Sequence, residues 1–284
     1  MVGQVPSRQA LTVLVHCDLD AATAARTALA VDLACRTGAH LIGVAAGAPR
    51  RGAGARLAGP SPAPNPAKAE HPLRATLRQA ADEFRTRVAE VQRANFRCAA
   101  KPADVFLAEQ AVCADLVIVG PPGAGPPGGP LALDTPALVM SAGRPVLVAP
   151  EGLDRLDLRR VVVAWKTTRA SRRVLLDSLH WLAMAERVLV LHIVERPDEH
   201  PVDDGLEAVR DWLSARMAQV DAARRPARPD RDSVADDILD VADGFGAGLI
   251  VAGAYSRAPL AERLFGGVTR ELLRRGRPAR LLSH

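Results

Sequence analysis

Short apolar runs and longer amphipathic stretches alternate along the chain, and the whole alternation occurs twice. Residues 11–16 (LTVLVH) and 160–165 (RVVVAW) are apolar runs with β-branched residues. Each leads through a polar turn into a helical stretch, 21–36 in one case and 171–185 in the other. A second apolar run follows each helix, HLIGVAA at 40–46 and VLVLHIV at 188–194. Then comes an amphipathic helix. Leu73, Leu77, Phe84, Val88 and Val91 share a face in the first, and Leu206, Val209, Leu213, Met217 and Val220 step by three and four in the second. A short polar connection leads to a shorter helix, 104–113 or 233–245, and then to two near copies, ADLVIVG at 114–120 and AGLIVAG at 247–253. A last short helix and a closing run, RPVLVAP at 144–150 and RPARLLSH at 277–284, complete each half.

Each half therefore reads β-α-β-α-β-α-β-α-β. Continuous rather than alternating apolar runs predict strands buried on both faces of a parallel sheet, with right-handed crossovers placing helices on both sides. The expected fold is α/β, with two flavodoxin-like (Rossmann-like) domains, each a five-stranded, mostly parallel sheet. The domains are expected at 1–150 and 151–284, divided in the polar stretch EGLDRLDL at 151–158. The Gly/Pro/Ala-rich segment 47–72 interrupts only the first copy and is expected to be a mobile surface loop.

Composition changes this picture little. Hydrophobic residues make up 48% of the 284 and aromatic residues only 3%, which suits slim strands and Ala-rich helices. The net charge of +5 is carried almost wholly by arginine, the lysines being Lys68, Lys101 and Lys166. No long basic run, RNP-type aromatics or zinc-finger spacing accompanies it, so no nucleic-acid partner is expected. The four cysteines form no CxxC pair. Without a signal-peptide pattern or a long apolar run, the chain is expected to be cytoplasmic, with reduced thiols and no membrane partner.

Ligands of open parallel sheets bind beyond the carboxyl ends of strands, where strand order reverses. Here that point lies between the first and fourth strands of each half. After the fourth strand, the second half reads Gly253-Ala-Tyr-Ser256, nine residues, then Gly266-Gly267-Val268-Thr269. Two glycines and a threonine opening a helix make an anion site. The first half reads Gly120-Pro-Pro-Gly123 and later Leu133-Asp134. There prolines remove donors and an acid occupies the phosphate position. After the first strand the pattern reverses: Asp18 and Asp20, with Thr23 nearby, stand in the first half, and Lys166-Thr167-Thr168 in the second. Asp18, Asp20 and Thr168 are equally readable as helix caps.

The spacing G-x2-S-x9-G-G-x-T resembles the G-x2-G-x9-G-[S/T] motif of the universal stress protein family. With the repeated plan, the chain resembles a tandem universal stress protein over nearly its whole length; VVVAW, AGLIVAGAYSR and LFGGVTRELL carry most of the likeness. The resemblance implies flavodoxin-like halves, a role in stress survival, and binding of ATP or AMP with no required cofactor and no dedicated catalytic apparatus. The family's acid at the end of the first strand corresponds to Asp18; Lys166 or Thr167 stands there in the second half. The motif glycines correspond to Gly253 and Gly120, then to Ser256 and Gly123. The phosphate-gripping pair corresponds to Gly266-Gly267, with Thr269 two residues further on. The second-half site is thus expected to comprise Trp165, Lys166, Thr167, Gly253, Tyr255, Ser256, Arg257, Gly266, Gly267, Val268 and Thr269. Asp18, Gly120 and Gly123 are expected to be the vestige of a site in the first. Lys166 could supply a point charge to a phosphate.

Other side chains carry competing readings. His192 reads as a packed strand histidine rather than a ligand. His16 and Cys17 are neighbours on a strand, pointing to opposite faces, and make a poor nucleophilic pair. Cys98 and Cys113 are expected to be buried. Trp165 could cover an adenine or simply pack, and Tyr255 is expected on an exposed loop. Three functions stay open: a nucleotide or other small-anion binding protein, paired with a second copy or within itself as a pseudo-dimer; a weak ATPase, which lacks a Walker A motif; and a scaffold that binds no nucleotide.

Overall fold

A computed structural model describes residues 11–48, 66–123, 129–195, 205–217, 219–231, 233–255 and 267–284, with only the backbone for 66–71. Its ten strands form one continuous sheet in the order β3-β2-β1-β4-β5-β10-β9-β6-β7-β8. The strands of the first half are β1 (Thr12–His16), β2 (His40–Ala46), β3 (Ala94–Ala99), β4 (Leu116–Val119) and β5 (Val146–Val148). Those of the second are β6 (Arg160–Ala164), β7 (Arg187–Val194), β8 (Val220–Pro226), β9 (Leu249–Gly253) and β10 (Ala279–Ser283). Pairing is parallel within each set of five. The sets meet where β5 and β10 pair antiparallel, Leu147 opposite Leu281. The two expected sheets are therefore one, and the closing run of each half covers the edge that the other would expose.

Helices cover both faces. On one lie α1 (Thr23–Thr37), α2 (Pro66–Arg87), α5 (Arg169–Asp177), α6 (Leu179–Leu182) and α7 (Leu206–Ser214), over a core running through both halves from Leu29 and Phe84 to Val174 and Leu213. On the other lie α3 (Ala103–Ala111), α4 (Thr135–Ser141), α8 (Val234–Phe245) and α9 (Gly267–Arg274). The central strands are buried on both sides, as their unbroken apolar runs require.

Three expectations change. The third strand of each half lies where the sequence reads as a polar connection: β3 and β8 are sheet edges, half-exposed and carrying Arg97 in one and Arg224 and Arg225 in the other. Val220 accordingly begins β8 instead of continuing a helix. The stretch 171–185 divides into α5 and α6 at Ser178, whose hydroxyl bonds the carbonyl of Leu175 at 3.1 Å and competes with helix continuation. Of the segment 47–72, Gly47 is buried at the end of β2 and residues 66–72 already belong to α2. Proline suits a helix start, and the AKAE that follows favours helix; residues 49–65 lie outside the described set.

Candidate functional site

The sheet register fixes which positions correspond. Val13 pairs with Leu116 and Val161 with Leu249, so Asp18 and Lys166 occupy the same place, as do Gly120 and Gly253. Val117 pairs with Val146 and Ile250 with Arg280, and the buried Thr135, Leu138 and Val139 of α4 match Thr269, Leu272 and Leu273 of α9, which sets Asp134 against Val268 and not against Gly267. In both halves the first and fourth strands are neighbours, and the chain turns away from them in opposite directions. That geometry leaves a crevice beyond their carboxyl ends.

Among the described residues, the crevice of the second half is open. Beyond β6, the Trp165 amide bonds Leu191 O at 2.8 Å and keeps the chain in register for one more residue. Thr168 then caps α5, its hydroxyl accepting from the Ser171 amide at 3.1 Å. The first turn of α5 lies so close to the end of β9 that a Cβ at Gly253 would stand 2.5 Å from the Ser171 nitrogen. Only glycine allows this approach. After Gly253, Tyr255 adopts left-handed backbone (φ 52°), and its amide donates to the Thr269 hydroxyl at 3.3 Å. The Thr269 side chain thus ties the loop after β9 to the first turn of α9.

These elements enclose a cavity of about 230 Å³. Of the residues expected there, Trp165, Lys166, Gly253, Tyr255, Gly267, Val268 and Thr269 all line it. Thr167 belongs to the same turn but not to the wall, and Ser256, Arg257 and Gly266 lie outside the described residues. Apolar side chains from β7 and α8, among them Leu191, Ile193 and Ile238, close the far side. Trp165 is packed into the core below, and the His192 ring bonds its carbonyl at 3.1 Å, which gives that histidine a structural task. Tyr255 is buried, not exposed: its ring packs into the core cluster beneath α9. Burial, with Asp134 across the seam, raises its pKa.

Lys166 does not face the cavity alone. Its ammonium lies 2.6 Å from a carboxylate oxygen of Glu195, the residue that follows β7. Both side chains are about half exposed, and both line the cavity. Glu195 carries no sequence signal. It is one acid in a polar stretch, brought to the site because β7 lies beside β6. No carboxylate follows β6, and the nearest one lining the cavity follows β7, one strand away.

In the first half the corresponding crevice is filled. Asp18 and Asp20 do not cap α1, whose N-cap is Ala22 without a side-chain bond. They receive the guanidinium of Arg26, a fully buried residue of α1. Arg26 Nη2 lies 2.5 Å from Asp18, its Nε donates to His16 O at 2.9 Å, and the Thr23 hydroxyl bonds Asp18 at 2.5 Å and Asp20 at 2.8 Å. Desolvation raises the Asp18 carboxyl, His16 and Arg26 lower it, and the balance holds it at about 2. Pro130 and Leu131 fold over the ends of β1 and β2, so closely that a Cβ at Gly47 would meet Pro130 O at 2.1 Å. Leu131 is buried in the core. Gly120 accepts a bond from Thr135 at 3.2 Å, Gly123 turns with φ 80°, and Asp134 caps α4 by accepting from the Ala137 amide at 3.0 Å. The α4 N-terminus thus has its own anion.

His16 sits wholly buried in this network, 3.4 Å from Asp18. Burial, assisted by Arg26 and opposed by Asp18, depresses its pKa from 6.5 to about 4. The unfolded chain therefore takes up this proton between about pH 6.5 and 4 while the folded chain does not, and stability falls as pH falls through that window. From pH 6.5 to 5 this term amounts to about 2 kcal/mol. Denaturant unfolding at both pH values should show His16→Ala, which places here the residue found at position 164, losing correspondingly less over that interval. An equal loss in both proteins rules the assignment out.

Cys17 is buried, and desolvation pushes its thiol up to about 12, so it is not a nucleophile at neutral pH. Cys98 and Cys113 are exposed, against expectation, because edge strand β3 and the turn after α3 leave them uncovered. Among the described residues no group of three or more His, Cys, Asp or Glu is placed to hold a metal ion. No helix among them is long and apolar enough to cross a membrane.

No protein-family model matches the sequence, and no curated protein matches it. Solved structures do. A universal stress protein from Archaeoglobus fulgidus DSM 4304 is 13% identical with a TM-score of 0.67, over 96% of this chain and 95% of that one. A candidate universal stress protein from Pseudomonas aeruginosa UCBPP-PA14 is 16% identical with a TM-score of 0.57, over 97% and 94%. A protein of unknown function from Pseudomonas aeruginosa PAO1 is 18% identical with a TM-score of 0.55, over 97% and 93%.

Proposed function

We propose that this chain, which has the fold of universal stress proteins along nearly its whole length, is a tandem universal stress protein of the cytoplasm. It acts by binding rather than by turnover. Its second half takes ATP, AMP or another phosphate-bearing small molecule, while its first half takes none. The observation that supports this most directly is the cavity where β6 and β9 end, with Gly267 and Thr269 at the start of α9 on one side and Trp165 on the other. Amides at a helix start favour an anion, and an apolar wall favours a flat, uncharged ring system. The first-half crevice, filled by Arg26 and Leu131, supports a single site per chain. The β5–β10 seam supports pairing of two units within one chain, in place of a dimer of chains.

Titration calorimetry with ATP and with AMP should give a stoichiometry near one per chain. At a hundredfold excess over Kd, the same ligand should stabilise the fold by about 2.7 kcal/mol. Mass spectrometry of small molecules released by denaturation should identify a nucleotide. A melting temperature unmoved by millimolar ATP and AMP would favour the scaffold reading. ATP hydrolysis lost in Thr269→Ala would favour the enzymatic one.

A further inference from the structure

We propose that the exposed face of α5, with Arg169, Arg172, Arg173 and Leu176, is a docking surface for an acidic segment of another protein. The internal duplication supplies the control. The register that sets Asp18 against Lys166 also sets Ala21, Ala24, Ala25 and Ala28 of α1 against these four residues. The two helices bury matching positions, Thr23, Arg26 and Thr27 in α1 and Ser171, Val174 and Leu175 in α5, so the same face is being compared. One copy of that face is alanine, the best helix former. The other is arginine and leucine, which the fold does not require. It even works against them: α5 has no acid in its first turn, and cations near a helix start meet the positive end of the dipole. The opposite side of α5 faces the cavity through Ser171, so this surface is separate from the proposed nucleotide site.

Charge and apolar exposure together define the occupant. Several arginines of other helices are matched by an acid one turn away, as Arg36 is by Asp32, Arg87 by Glu83 and Arg275 by Glu271. On α5, among the described residues, only Arg173 is so matched, by Asp177 at 2.9 Å; Arg169 and Arg172 are exposed and have no acid beside them. Such cations are complementary to an anionic surface. Leu176 is 59% exposed and Val112 67%, the two most exposed large apolar side chains among the described residues. They belong to one strip. Leu176 lies one turn from Arg173, whose Nη2 donates to Gly143 O at 3.5 Å, and the next residue, Arg144, donates to Val112 O at 2.8 Å. The strip therefore crosses the seam, from α5 of the second half to the end of α3 in the first. Arginine between apolar side chains, without lysine, is the composition of a protein interface. A nucleic-acid backbone would match the charges alone and leave Leu176 and Val112 without a counterpart. The occupant is thus an acidic segment that carries an apolar side chain toward each end.

The test selects a phage-displayed random peptide library on the immobilised full chain, then titrates the synthesised consensus peptide by fluorescence anisotropy. The enriched peptides should combine acidic with large apolar residues, and binding should weaken as salt is raised. The variant Arg169→Ala/Arg172→Ala/Arg173→Ala/Leu176→Ala, which gives α5 the face of α1, should bind the peptide roughly 10-fold more weakly or worse. It should melt at the same temperature as wild type or higher, since alanine favours the helix and the first-turn cations are gone. Leu176→Ala alone should weaken binding and leave its salt dependence unchanged, which separates the apolar contact from the charges. Failure to enrich, enrichment of neutral or basic peptides, or binding of the consensus peptide by the fourfold variant within about twofold of wild type overturns the proposal. Tighter binding of wild type to a DNA duplex, or to vesicles of phosphatidylserine and phosphatidylcholine, than to the peptide overturns it in favour of a phosphate-bearing partner. Self-association of wild type in sedimentation, lost in the fourfold variant, overturns it in favour of a second copy of the chain.

Discussion

Gly267→Asp should reduce the affinity of the second half for ATP or AMP by roughly 100-fold or more, since placing like charges together costs several kcal/mol. It should do so without harming the fold. The first half already carries an acid at the corresponding helix start: Asp134, which matches Val268, caps α4 by accepting from the Ala137 amide at 3.0 Å. A Cβ at Gly267 would meet nothing within 4 Å, and Gly267 has no positive φ to lose. The new carboxylate would lie in the first turn of α9, where the helix dipole favours an anion, and would occupy the place of the phosphate. An acid in a first turn stabilises by about 0.3–1 kcal/mol. The expected signature is thus a pair of opposite changes: a higher melting temperature without ligand, and the loss of its rise with ligand. Gly267→Ala separates the two effects, since it adds a methyl group without a charge and should leave most of the affinity. Undiminished ATP binding by Gly267→Asp would place the anion elsewhere or nowhere.

The contrast between the glycine-rich start of α9 and the acid before α4 was legible in the sequence, because a helix start announces itself in a few residues. The central strands were legible for a similar reason. Burial on both faces demands unbroken apolar runs, and LVIV or LIVAG admit few other readings. Edge strands β3 and β8 were not legible. Each has a neighbour on one side only and can carry ANFRCA or VDAARRP without penalty. What fills or equips the two crevices was also hidden, because it depends on contacts between positions far apart. Arg26 reads as an ordinary surface residue of an Ala-rich helix until His16, Asp18 and Asp20 surround it. Leu131 lies in a loop whose composition signals nothing. Glu195 becomes a site residue only through the neighbouring register of β6 and β7. Tyr255 misleads in the other direction: loop position suggests exposure, but its left-handed backbone turns the ring into the core beneath α9.

The filled crevice implies a large stability effect. Arg26→Met should destabilise the fold by about 3–5 kcal/mol, the range for removing one partner from a buried ion pair. For a chain of this size that corresponds to a fall of roughly 6–20 °C in melting temperature. The cause is less the lost attraction than what remains: Asp18 and Asp20, mostly shielded from solvent, with no cation between them. The pH dependence distinguishes this from a packing defect. In wild type the Asp18 carboxyl is held at about 2, below its ordinary value near 4. Its contribution to stability is present above about pH 4 and is lost as pH falls from there toward 2. Without Arg26, burial raises the same carboxyl instead, and the folded state takes up a proton more readily than the unfolded chain. The deficit of Arg26→Met relative to wild type should therefore shrink as pH is lowered from 7 toward 4. A cavity or misfit would leave it constant. The second half has no such network: Lys166, Thr168 and Val174 occupy the places of Asp18, Asp20 and Arg26. Removing both acids together with the arginine, as Asp18→Asn/Asp20→Thr/Arg26→Met, should accordingly cost much less than Arg26→Met alone, because no charge is left without a partner. If the triple variant is as unstable as the single one, the network is not an ion cluster closing a former ligand site, and Arg26 matters for its bulk alone.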